Sequence, residues 1–300
     1  VKSLTGEDSG GGRRPPERPR RARELQDPLN HYLYHPLAWQ LAVRLARTPL
    51  TPNMVSVIGA GFVIAAGIAY AQPWWPVSAL LGLVLHMTWH VVDGADGDLA
   101  RISGRSSPTG EMVDGLCDYI SHIVLYFVLG YLLSLQIGGW SWVIMTVAGL
   151  SHIVQSNHVE VQRRQYQWWV YGTPWLRNTH SADSATANSG FGALVSFYLS
   201  LASGMTPHAL KIDAAVAAAN DLDPAALDRI RAAVRAEAPP LLFLCKLLGP
   251  NPRAIVLGLS MLAGSPIWYF FYQAVVLNIL LAVSVVRHNR AAERIAARIA

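Results

Sequence analysis

The sequence is short of charge. Asp, Glu, Lys and Arg make up 14% of its 300 residues, where a soluble domain carries about 25%. With 52% of residues hydrophobic, the shortfall points to a membrane protein. The formal net charge of +5 and the pI of about 9.4 would also suit a nucleic-acid binder. Such a domain would be much less apolar, so that class is excluded. Cysteine is nearly absent. Cys117 and Cys245 lie far apart, with no metal-ligand spacing and no disulfide framework. The first 28 residues lack the apolar run of a signal peptide. They are rich in Gly, Pro and Arg and predict a disordered basic tail over 1–28. Its arginines suit an anionic membrane surface, or serve only to enforce topology.

Apolar segments of membrane-spanning length are what the chain does contain. Leu33, Leu37, Leu41 and Leu45 recur at four-residue steps and predict an amphipathic interfacial helix over 29–50. Six spans are predicted, over 54–71, 77–92, 111–135, 140–161, a short fifth with its core at 253–264, and 267–286. Most are near the ~20 residues that cross a hydrocarbon core. A cytoplasmic insert at about 162–252 separates the fourth from the fifth. A weakly apolar piece at 191–202 is too short to span and reads as interfacial or re-entrant. The loops 72–76, 136–139 and 265–266 contain no Lys or Arg. The positive-inside rule then puts both termini and the insert in the cytoplasm. The expected fold is an all-α integral membrane bundle of six transmembrane helices. Residues 51–300 form one membrane domain.

The most informative stretch is 93–118, DGADGDLARISGRSSPTGEMVDGLCD. Asp93 and Asp96 are three residues apart; Asp114 and Asp118 are four apart and share a helix face. Ionised carboxylates beside apolar spans are costly unless they are compensated. Four of them held together call for cations, and oxygen-only ligands favour Mg²⁺, Mn²⁺ or Ca²⁺ over zinc. The spacing D-x2-D-G-x2-A-R-x8-G-x3-D-x3-D is filled at every fixed position by Asp93, Asp96, Gly97, Ala100, Arg101, Gly110, Asp114 and Asp118. This pattern resembles the signature of the CDP-alcohol phosphotransferase (CDP-alcohol phosphatidyltransferase) family of integral membrane enzymes. Helix caps and surface acids rarely fill eight fixed positions by chance.

The resemblance implies transfer of a phospho-alcohol group from a CDP-alcohol donor to a hydroxyl acceptor, with CMP leaving, in phospholipid or related synthesis. It implies two divalent cations, Mg²⁺ or Mn²⁺, held by Asp93, Asp96, Asp114 and Asp118. Asp118 is the expected general base. Asp93, Gly97, Ala100, Arg101 and Gly110 are the expected nucleotide contacts. Arg105, His122, Arg163 and Arg164 are candidate acceptor contacts, with Arg177 further along. A homodimer in a bacterial inner membrane, with a cytoplasmic active site, is expected. The acceptor is a polar alcohol or a lipid. Many relatives that use lipid-linked CDP carry a basic residue after the last motif Asp, where this chain has Tyr119.

Other readings attach to particular residues. His86, His90 and Asp93 share one helical face, as a zinc site or as histidines packed in a polar interior. Asp98, at a variable motif position, reads as solvated or capping. Trp168 and Trp169 read as interfacial. A membrane transporter with an intramembrane carboxylate cation site would explain the acids. It would not explain Gly97, Ala100, Arg101 and Gly110 at fixed gaps.

Overall fold

The computed structural model describes residues 21–173, 200–201, 204–220 and 223–299. Among these the chain is all-α, with no strand. The expected piece at 191–202, Ser200 and Leu201 apart, lies outside the described residues, as do Arg177 and the tail up to residue 20.

A π-helical turn, Asn30–Tyr34, runs into α1, His35–Leu45. Helix α2 is Pro52–Tyr70, α3 Val77–Ser103, α4 Pro108–Ile137 and α5 Trp140–Tyr171. Three helices of the insert follow, α6 Ala209–Asn220, α7 Pro224–Ala236 and α8 Ala238–Leu247. The chain ends with α9 Pro250–Leu262, a short α10 Ile267–Phe271, a π turn Tyr272–Val276, and α11 Leu277–Ile299.

Local chemistry sets the boundaries that matter for the site. Thr51 caps α2 by accepting from the Met54 N–H at 3.3 Å, with Pro52 in the first turn. Helix α3 stops at Gly104, whose φ of 65° favours a residue without Cβ. Ser107 then caps α4, accepting from the Gly110 N–H at 3.0 Å. The connection is therefore short, and α3 and α4 come back antiparallel with both halves of the motif at the same end of the bundle.

Five helical stretches are long and apolar enough to cross a membrane: Pro52–Tyr70, Val77–Ser103, Gly110–Ile137, Ala238–Leu262 and Ile267–Ile299. Two differ from the sequence expectation. The fifth predicted span begins much earlier, at Ala238, because α8 is apolar and α9 continues it after a break at Gly249. The fourth, α5, is 32 residues long but is not among the five. His152, Gln155, Asn157, His158 and Glu160 interrupt its apolar character, and Gln155, Asn157 and His158 are buried against other helices. Helix α5 also runs on to Tyr171 instead of stopping near 161.

Among the described residues a small apolar cluster packs Ala38 and Ala42 of α1 against Val55, Val92, Ala95 and Leu99, beside two larger ones. One lies within the bundle, around Val63, Leu125, Leu129, Leu257 and Phe270. The other joins the end of α5 to the insert and α11 through Trp169, Ile212, Val216, Ile230, Val234 and Ile295. Trp169 is fully buried there, its Nε1 donating to Asp213 at 2.6 Å. This corrects its interfacial assignment, since the insert supplies both an apolar pocket and an acceptor. Glu237, between α7 and α8, accepts from Arg294 at 2.7 and 3.1 Å and pairs with Arg298 at 3.1 Å. The Arg294 hydrogen bond holds the Glu237 carboxyl below its ordinary value.

Residues 21–28 are folded, which corrects the expectation of a disordered tail reaching 28. Their polar side chains find fixed partners on three helices. Arg21 donates to Asp98 on α3 at 2.8 Å. Glu24 accepts from the Tyr171 hydroxyl on α5. Both carboxylate oxygens of Asp27 accept from Asn251 on α9 at 2.9 Å. Helix α1 lies on α3 through small residues: a Cβ at Gly94 would come within 3.0 Å of the Ala38 Cβ. Ala38 and Ala42 are buried while Leu33 and Leu37 stay exposed. Leu33 and Leu37 thus lie on an outer face, while Leu41 and Leu45 pack with the alanines against the core.

Candidate active site

The acids of α3 and α4 meet across the helix pair. Asp93, Asp114 and Asp118 each offer an oxygen, and these atoms lie within 4.8 Å of one another. The Asp93 carboxyl interacts with that of Asp118, and the Asp96 carboxyl with that of Asp114. Asp96 stands slightly apart from the trio; its Oδ2 accepts from Ser56 on α2 at 2.7 Å. Oxygens this close repel strongly in a poorly solvated setting, so the arrangement suits positive charge between them. The donor set is oxygen only, which fits hard divalent cations.

Asp118 is held on two sides. Trp89 Nε1 on α3 donates to its Oδ1 at 3.1 Å. One turn further along α4, His122 Nδ1 donates to the Asp118 carbonyl at 2.8 Å. That bond fixes the His122 ring and leaves its Nε2 as the acceptor nitrogen. His122 therefore sits beside Asp118, next to Trp89 with ring centroids 4.6 Å apart. His86, His90, His122 and His152 form a ring-to-ring cluster below the carboxylates. Among the described residues these histidines do not gather ligand atoms as the three aspartates do. The packed reading of His86 and His90 thus describes them, and the zinc reading does not.

A pocket opens beside the acids. Gly97, Ala100, Arg101 and Gly110 line it together with Asp96 and Asp114, and Asn53, Ser56 and Arg105 complete its wall. Four of the five residues assigned to nucleotide contact from the sequence thus share one concave surface; Asp93 lies behind it with Asp118. At Gly97 the floor is bare backbone, and the Arg101 guanidinium lies over it, 3.6 Å from where a Cβ would stand. Arg105, assigned to the acceptor from sequence, belongs to this same wall.

Asp98 is 2% exposed, which corrects its reading as solvated. Its Oδ1 accepts from Arg101 at 2.5 Å and from Arg21 at 2.8 Å. Two guanidinium groups compensate one buried carboxylate, and Arg101 is thereby held over Gly97. Arg163 and Arg164 do not reach this pocket's lining. Both bind Glu160, Arg163 in a fork at 2.8–3.0 Å and Arg164 through Nε at 2.6 Å. Ser56, Trp89 and Arg21 escaped sequence reasoning. Only Trp89 had a signal, one turn before Asp93 on the same face of α3.

The geometry defines a polytopic helical protein with a carboxylate centre beside an open, glycine-floored pocket. Comparison with known proteins names the group. The profile of CDP-alcohol phosphatidyltransferases matches residues 49–210, and the chain belongs to that family. It is similar to a CDP-alcohol phosphatidyltransferase class-I family protein of Schizosaccharomyces pombe, 28% identical over 44% of this chain and 36% of the relative. It is also similar to ethanolaminephosphotransferase 1 of Pongo abelii and of Homo sapiens, 30% identical over 34% of this chain and 28% of each relative. The chain thus spans roughly a third of the length of these relatives. The family and the ethanolaminephosphotransferases are transferases of phosphate-containing groups.

Proposed function

We propose that the protein transfers a phospho-alcohol group from a CDP-alcohol to a hydroxyl acceptor, releasing CMP. The observation that carries this reading is the convergence of Asp93, Asp114 and Asp118 next to a pocket lined by Gly97, Ala100, Arg101 and Gly110. Asp93, Asp96, Asp114 and Asp118 would hold two divalent cations, Mg²⁺ or Mn²⁺. When bound, such ions neutralise pyrophosphate charge and stabilise the leaving oxygen.

The chain's own residues do the rest. Arg101, with Arg105 on the same wall, adds cationic contact to the donor's phosphates. Gly97, Ala100 and Gly110 let the cytidine nucleotide approach helix backbone. Asp118 takes the proton from the acceptor hydroxyl as that oxygen attacks the phosphorus bearing the alcohol. Trp89 keeps its carboxylate aimed, so that less reorganisation is needed at the moment of attack. The active site faces the cytoplasm, as the basic loops indicate. The names of the relatives and Tyr119 favour a CDP-linked polar head group as donor.

The test is CMP release by purified protein supplied with CDP-ethanolamine, CDP-choline or CDP-diacylglycerol, a panel of alcohols, and Mg²⁺ or Mn²⁺. Metal-dependent release that Asp118→Asn abolishes is the expected result. Release at the full rate by Asp118→Asn would remove the proposed mechanism.

A further inference from the structure

Of the four aspartates assigned to the cations, Asp96 alone stands outside the converging trio, and a residue of another helix holds it there. Ser56 lies in the second turn of α2 and is 6% exposed. Its Oγ donates to Asp96 Oδ2 at 2.7 Å. The same side chain interacts with the Asp114 carboxyl on α4. One hydroxyl thus serves two of the four acids and joins α2 to both halves of the motif. Ser56, Asp96 and Asp114 all line the pocket that holds Gly97, Ala100 and Arg101. The hydroxyl is therefore on the side of the centre that the donor's pyrophosphate would meet.

A serine inside a helix can satisfy itself on the carbonyl four residues back. That alternative is present, since the Pro52 carbonyl oxygen lies 3.3 Å from the Ser56 Oγ. A hydroxyl has only one proton to give. The shorter contact goes to a carboxylate, and charge-assisted bonds are the stronger ones. The proton therefore goes to Asp96. Packing keeps the contact short. A Cβ at Gly59, one turn along α2, would stand 3.5 Å from Trp89 and 3.6 Å from Val92 on α3. Val55, next to Ser56, is buried in one cluster with Val92 and Ala95.

With Oδ2 committed to Ser56, Asp96 has its other oxygen left for a cation. A carboxylate tethered at one oxygen no longer rotates freely and offers the second in a fixed direction. Hydrogen-bond partners behind a ligand tune metal affinity in this way. We propose that Ser56 is a positioning residue for the cation on the donor side. It aims Asp96 so that Asp96 and Asp114 grip that ion together. The ion held by Asp93, Asp114 and Asp118 depends on it much less. The inference rests on the transferase reading above and adds a residue of α2 to its centre.

The experiment titrates Mn²⁺ into the full chain in lipid nanodiscs, with CMP present, and reads free Mn²⁺ by electron paramagnetic resonance. The wild type is expected to bind two ions. Ser56→Ala should weaken one of them by about 10- to 100-fold and leave the other nearly unchanged. Ser56→Thr, which keeps the hydroxyl, should restore the binding; Ser56→Val, of the same shape without it, should not. The Mn²⁺ concentration for half-maximal CMP release should rise in step in Ser56→Ala, and added metal should recover most of the lost rate. Unchanged affinity for both ions in Ser56→Ala would overturn the proposal, and with a lowered metal-free melting temperature it would make Ser56 a structural residue. So would Ser56→Val binding as Ser56→Thr does. Should Ser56→Ala fail to fold, the Thr and Val pair decides. A wild type that binds no Mn²⁺ would refute the metal-dependent reading and this inference with it. Two ions bound equally by wild type and Ser56→Ala would refute this inference alone.

Discussion

The membrane bundle and the insert treat buried charge in opposite ways. In the insert, Glu237 is matched by Arg294 and Arg298, and Asp213 accepts from Trp169. Each group has found its partner within the chain. In the bundle, three carboxylates converge on one another, and one guanidinium, that of Arg253, sits among neutral amides and hydroxyls. Folding selects for the first arrangement, because an uncompensated buried charge is costly. The second is retained where a ligand completes it, and perturbed charges gather at functional sites for that reason. Asp98 shows that the rule holds inside the motif as well: once matched by Arg21 and Arg101, a carboxylate becomes a support.

This contrast can be broken from either side. The largest effect should come from Asp118→Asn, which removes the proton acceptor and one oxygen of the converging trio. CMP release should fall about 10²- to 10⁴-fold, while thermal stability should not drop, since repulsion is relieved. A parallel loss of stability would mean that Asp118 is a structural group. Gly258→Leu should come next. It wedges α9 away from Leu83 on α3, whose side chain lies 2.4 Å from where a Cβ at Gly258 would stand, and is expected to cost roughly 1–3 kcal/mol of stability by overpacking, read as a lower melting temperature.

Asp98→Asn tests a matched charge next to the unmatched ones. Freed of their anchor, Arg101 and Arg21 should spread, and the donor KM should rise roughly tenfold with the metal dependence unchanged. A shift in metal requirement would place Asp98 among the cation ligands instead. The smallest effect is expected from Glu237. Its carboxyl is held below the ordinary value of 4.5 by the Arg294 hydrogen bond. Its contribution is therefore complete above that pH and is lost as pH falls through the lower folded value. Glu237→Gln should lower stability at pH 7 by roughly 1 kcal/mol or less and flatten the acid limb of a melting-temperature profile against pH.

How much of this was legible in the sequence follows from the range of each contact. The acids, small residues and Arg101 lie within 26 residues of one another, and helical spacing alone brings them to one end of a hairpin. Ser56, Trp89 and Arg21 reach the acids over 40, 29 and 77 residues. No local pattern encodes such meetings. The all-α fold was readable from apolar run lengths, but the polar middle of α5 was not. Its Gln155, Asn157 and His158 look like the end of a span in sequence, whereas all three are interior, and Gln155 and His158 find partners in the last helices. The fifth span was cut short in reading for a similar reason, because Lys246, Pro250 and Pro252 interrupt a helix pair that packs as one stretch.

One consequence concerns how the protein should be produced. Residues 21–28 resemble dispensable leader sequence, yet they stitch α3, α5 and α9 together through Arg21, Glu24 and Asp27. An expression clone trimmed to begin at the first transmembrane helix would strip Asp98 of one counter-charge and release the entrance of α9, so a sluggish truncated enzyme would misrepresent the intact one.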